Sequence, residues 1–169
     1  KSDVVQKLVP SALWYLRWAA LFTFLTGLYL IHYLSIAINI SIILGAVLGT
    51  FMFLNVWLII WPNQKKVISG SPDAADAGAK AGLASRTNTL FSIPMLWFMV
   101  YSAHGTAIGN TILSLEESLL SLWVGLVLIA IIEANAVWGK MNAAITSVKA
   151  VIHSGVALTV ILGLIVCYL

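Results

Sequence analysis

"NVWLIIWPNQKK", residues 55–66, ends an apolar run with Trp61, Pro62 and the pair Lys65 and Lys66, and it places Asn55 inside that run. A tryptophan and lysines at the end of about 20 apolar positions mark where a helix leaves a bilayer, because the indole settles at the interface and the ammonium groups stay in water. An asparagine about two turns before such an exit is costly in hydrocarbon and requires a partner inside a helix bundle.

The rest of the chain has the same character. Of its 169 residues 61% are hydrophobic and 9% charged, with a mean hydropathy of +1.01. A soluble domain has about 45–50% apolar and about 25% charged residues. The long runs are apolar on every face, whereas barrel strands would alternate apolar and polar positions. The reading is all-α: an integral membrane bundle of about five transmembrane helices in a single domain, 1–169, with spans near 12–34, 40–61, 88–104, 118–138 and 146–169. Residues 62–87 are expected to form a cytoplasmic loop. Its part "SGSPDAADAGAKAGLASRTN" (69–88) reads as a short surface helix or a mobile connection.

With five spans, all nine Lys and Arg residues fall on one side of the membrane, and the opposite loops, 35–39 and 105–117, carry none. The positive-inside rule then puts the N-terminus in the cytoplasm and Leu169 outside, in a prokaryotic inner membrane. The net charge of +3 is accounted for by this topology and gives no reason to invoke nucleic acid. The basic start leads into a full-length span with no small-residue cleavage site after it, so no signal peptide is expected. Cys167 is the only cysteine, which excludes a disulfide framework, an iron–sulfur cluster and a C-x-x-C-H haem attachment within these residues.

Polar residues within the spans sort into two layers by depth at 1.5 Å per residue. The inner layer holds Arg17, Asn55, Arg86, Asn88, Glu133 and His153. Arg17, Asn55, Arg86 and Asn88 offer donors to a substrate, and Glu133 and His153 are the titratable acid/base candidates. Such a set suits a planar, polar, oxidisable molecule such as a purine or a quinone head group. The alternative is that Arg17 snorkels to the interface and Glu133 is neutralised by Arg86 or His153. The outer layer is His32 and His104. Two imidazoles at matching depth on different helices suit haem b, or copper or zinc with Glu116 or Glu117 as an oxygen ligand; otherwise they are interfacial histidines wetted by head groups. The tryptophans near the inner interface (Trp14, Trp18, Trp57, Trp61 and Trp138) read as an aromatic belt without chemistry. Gly45 and Gly49 have the small-xxx-small spacing for close helix contact, within the chain or in an oligomer.

Three stretches carry a resemblance: "LWYLRWAALFTFLTGLYL" (13–30), "GAVLGTFMFLNVWLIIWPNQKKVI" (45–68) and "ASRTNTLFSIPMLWFMVYSAH" (84–104). Together they resemble the membrane domain of the bacterial PuuD-type urate hydroxylases, the urate oxidase N-terminal domain family. Arg17, Asn55, Trp57, Trp61, Asn63, Gln64, Arg86, Asn88 and His104 stand inside the matching stretches. The resemblance implies a multi-helix membrane domain that oxidises urate and passes electrons to a cytochrome c. It covers the later part of the family's longer domain, and no C-x-x-C-H motif is present, so that cytochrome is expected on a separate polypeptide. The expected function is a redox subunit in the lipid bilayer that binds haem b and works with a cytochrome c or other membrane subunits. The alternative is a cofactor-free accessory subunit of a larger respiratory or metalloenzyme complex. Transport ranks last, since the spans show no inverted repeat or pair of broken helices, although Pro94 can kink the third.

Overall fold

A computed structural model describes residues 2–33, 38–105 and 118–169, with side chains from residue 9 onward. The described chain is helical: α1 (Ser2–Tyr33), α2 (Ile40–Leu54), a π-helical turn (Asn55–Ile60), α3 (Trp61–Ile68), α4 (Ala74–His104), α5 (Leu119–Trp138) and α6 (Val148–Tyr168). The segments α2, π turn and α3 form one continuous rod. Four rods are long and apolar enough to cross a membrane: Val9–Tyr33, Ile40–Ile68, Leu119–Trp138 and Val148–Tyr168. The chain is an all-α membrane bundle.

The fifth rod, α4, has 31 residues, about 46 Å at 1.5 Å per residue. Segments α2, α3, α5 and α6 all pack against it, and its Thr87 and Ser102 are buried among them. Residues facing each other set the directions. Gly45 meets Phe98 and Met99, and Gly49 meets Met95, so α2 and α4 are antiparallel. Gly155 meets Leu90 and Ile93, and Gly163 meets Trp97, so α4 and α6 run parallel. The Gly45–Gly49 face is thus used inside the chain, against α4.

The expected loop 62–87 is helix over most of its length. The second span continues to Ile68, and α4 begins at Ala74, fourteen residues before the expected start of the third span at 88. Alanine is the strongest helix former, and Ala77, Ala81 and Ala84 recur on one face and are buried, where small side chains let α3 and α4 pack closely. Only a tight turn separates the two helices. Gly70 adopts φ +65°, the left-handed region that costs glycine nothing. Lys66 Nζ donates to Asp73 at 2.7 Å, and the Ser71 hydroxyl donates to the other carboxyl oxygen. These donors hold the Asp73 carboxyl down at about 2.

Proline shapes the α4–α6 contact. Pro94 has no N–H for the Leu90 carbonyl, and that oxygen lies 3.2 Å from where a Cβ on Gly155 would stand, with Ile93 Cδ1 at 2.7 Å. A side chain at 155 would have to displace Ile93 and crowd the Leu90 carbonyl, and a large one would push α6 away from α4. Gly155→Leu is expected to destabilise the protein by about 1–3 kcal/mol through overpacking. Gly27→Ala, whose Cβ meets nothing within 4 Å, should be nearly neutral; thermal unfolding in detergent compares the two.

At the turn, Lys66→Met should raise the Asp73 titration from about 2 toward 3.8. The interaction is fully present above that ordinary value and disappears as pH falls through about 2, which carboxyl NMR of labelled protein would follow.

Candidate functional site

Pro62 explains the local geometry from which the site is built. A proline ring within a helix clashes with the carbonyl four residues back and removes one hydrogen bond. Here the backbone widens just before it: the Trp61 N–H bonds to the Val56 carbonyl, five residues back, which is π-helical pairing of the kind found at functional sites. The Asn63 side chain donates to the Ile59 carbonyl at 2.8 Å. The irregular turn is thereby satisfied internally, as a membrane interior demands.

Asn55 opens the π turn and is 1% exposed. Its Nδ2 donates to Asn88 Oδ1 on α4 at 2.9 Å and to Glu133 Oε2 on α5 at 3.1 Å. Asn88 Nδ2 in turn donates to the Met52 carbonyl at 3.0 Å. One amide thus ties α2, α4 and α5 together, and it holds a carboxyl that is itself only 8% exposed. Asn55 Oδ1 is buried with no partner among the described residues, leaving an acceptor for a water or an N–H.

Arg17 anchors α1 at the same end. Its Cζ stands 4.4 Å from the Trp61 ring, 4.8 Å from Trp57 and 5.3 Å from Trp18. Each cation–π contact is worth about 0.5–2 kcal/mol, the upper figure when desolvated. Trp57 Nε1 donates to the Arg17 carbonyl at 3.2 Å, and Phe24 stacks on Phe53 with centroids 4.5 Å apart. Trp57 and Trp61, four apart, lie on one face of the rod. A cleft of about 680 Å³ opens between α1, α2 and α4, and Asn88 stands in its wall.

Asn55, Asn88 and Glu133 are therefore brought together, with Arg17 beside the π turn they share. Arg86 is half-buried, two residues before Asn88 on α4, and forms no ion pair with Glu133. His153 lies at the depth of Glu133, since Gly125 of α5 meets Leu162 of α6, but it is exposed and forms no ion pair with it. His32 and His104 close α1 and α4, both exposed. No three of His, Cys, Asp and Glu gather among the described residues; Glu116 and Glu117 lie outside them. Sequence reasoning missed the tryptophan cage and the π turn. The four-residue spacing of Trp57 and Trp61 and the Pro62 behind them were the available signals.

The sequence model of a family described as urate oxidase N-terminal matches residues 37–166. The chain belongs to that family, and the match spans α2 to α6 and leaves α1 outside it. No curated protein and no solved structure matches the chain.

Replacing the shared amide tests the network. Asn55→Leu leaves Asn88 Oδ1 and Glu133 Oε2 without their donor and should cost about 3 kcal/mol. Adding Glu133→Leu should recover part of that loss, whereas additive losses in a double-mutant cycle of thermal unfolding would show that the two side chains are not coupled.

Proposed function

We propose that this member of the urate oxidase N-terminal family is the membrane subunit of an oxidoreductase. It would bind a planar, N–H-rich purine such as urate beside Asn55, Asn88 and Glu133, and pass electrons to a separate cytochrome c. The supporting observation is the buried carboxyl of Glu133, held by an amide whose own oxygen is left open. Side chains that only glue helices together use up their hydrogen bonds on one another. Here an acceptor remains for a substrate N–H, beside a carboxyl that can take up a proton. Hydroxylation of urate by water releases electrons and protons in equal number, so such a site needs a proton acceptor and an electron exit. The caged Arg17 adds a positive charge that favours an anionic purine at this end.

Haem b is the cofactor this reading places at the electron exit, and the donor set suits it. His32 and His104 close the two helices that flank the cleft, and neither ring makes a hydrogen bond among the described residues. These two histidines would hold the haem, which would supply one-electron transfer. The basic connections would face the cytoplasm and the histidines the outside, toward a soluble cytochrome c.

A second reading, a cofactor-free accessory subunit, has one observation in its favour. The apolar window of α1 buries 0% of its residues within the chain, a face as suitable for another subunit as for lipid.

A dithionite-reduced minus oxidised spectrum of the purified protein should show about one b-type haem per chain, lost in His32→Ala and in His104→Ala. Glu133→Gln should keep that spectrum and slow urate-dependent cytochrome c reduction by about 100-fold or more. A haem-free protein that co-purifies with other subunits would favour the accessory reading.

A further inference from the structure

Two cations at the inner end of the bundle share one indole. Arg17 Cζ stands 4.4 Å and Lys65 Nζ 5.8 Å from the centre of the Trp61 ring. Trp61 also marks a depth. The rod carries no charged residue from Ile40 to Trp61, a length of about 32 Å at 1.5 Å per residue, against about 30 Å of hydrocarbon in a bilayer. The turn after Trp61 brings Lys65 and Lys66. Trp61 therefore sits where the hydrocarbon ends, and the two cations on it lie at the level of the lipid phosphates.

Neither cation has a counter-ion among the described residues. Lys66 is paired with Asp73, and no carboxylate stands within ion-pair distance of Arg17 or Lys65. The Arg17 guanidinium makes no hydrogen bond there either. Its Nε is buried without an acceptor, as is the neighbouring Trp18 Nε1, while the two terminal nitrogens are not covered. The arginine rests on the faces of Trp18, Trp57 and Trp61, which balance its charge and leave its N–H groups without an oxygen. A guanidinium fork matches the oxygens of a phosphate. Lys65 is exposed, and its flexible stem lets the ammonium turn toward the same group. Beside them a recess of about 360 Å³, lined by Trp61, Pro62, Lys65, Lys66, Ser69 and Ser71, has room for a head group.

We infer that Arg17 and Lys65, on either side of the junction between α1 and α3, bind the phosphate of an anionic phospholipid whose acyl chains run along the unburied face of α1. A phosphatidylglycerol suits the site better than a phosphatidylcholine. Both present a phosphate, but the choline ammonium meets Arg17, Lys65 and Lys66 as like charges. One phosphate carries one negative charge, so beside two cations this end keeps the positive charge that favours an anionic purine. The lipid binds whether or not the protein oxidises urate or holds haem.

The test is native mass spectrometry of the purified protein in mild detergent, titrated with phosphatidylglycerol and, separately, with phosphatidylcholine of the same acyl chains. The first phosphatidylglycerol is expected to bind about tenfold tighter than the phosphatidylcholine. Lys65→Gln should weaken it about fivefold, and Arg17→Gln should bring it to the level of phosphatidylcholine. Lys65 is exposed, so its variant tests the site even where Arg17→Gln loosens α1. Lys80→Gln removes the same charge from an exposed position on α4 and should leave the affinity unchanged. Three results would each overturn the assignment: equal affinity for the two lipids, equal losses in Lys65→Gln and Lys80→Gln, which mark attraction to the basic surface as a whole, or displacement of the lipid by millimolar inorganic phosphate, which marks a site for free anions.

Discussion

The amide of Asn55 is the point on which the bundle turns. In a medium without water every buried donor must find a protein acceptor, and this one finds two on different helices, Asn88 on α4 and Glu133 on α5. Hydrocarbon offers no hydrophobic drive between helices, so such bonds and close packing set which faces meet. With Asn55 bonded to Asn88, the antiparallel register of α2 on α4 is settled, and Gly45 and Gly49 then fall against Phe98, Met99 and Met95. The contact between α4 and α6 follows the same economy of space: the carbonyl that Pro94 leaves free fits only because position 155 has no side chain.

The π turn links this core to the periphery. By widening the helix over Asn55–Ile60, it accommodates Pro62 and aligns Trp57 and Trp61 toward Arg17. Arg17 and its ring of indoles, with the Phe24–Phe53 stack, are what hold α1, a helix otherwise unburied within the chain. The family match begins after α1, in keeping with its position on the outside of an already closed set of helices. Its attachment through aromatic and cationic contacts at one end leaves the wedge along α4 open.

Much of the architecture was legible in the residues. Apolar runs too long and too uniform for strands mark the helices, and four of the five expected spans are helices long and apolar enough to cross a membrane. The polarity of 62–87 reads as a connection with at most a short surface helix, whereas its alanines favour helix over most of its length. Depth along each helix singled out Arg17, Asn55, Asn88 and Glu133 together, since a rise of 1.5 Å per residue makes levels comparable between spans. Depth says nothing about angle around the helix axis, which is why His153 shares a level with Glu133 yet lies on an exposed face.

By itself, then, the sequence determined the solvent the chain lives in, the helical class, the gathering of basic residues toward one end, and the presence of costly polar groups inside the spans, because each of these depends on composition and on order along one helix. The tertiary structure decided the rest: that Glu133 meets Asn55 and neither Arg86 nor His153, that Arg17 is caged by indoles, and that hydroxyls of α2 and α4 share a cleft with methionines and phenylalanines. Those pairings depend on the rotation and register of one helix against another, which are set by summed contacts among residues far apart in the chain.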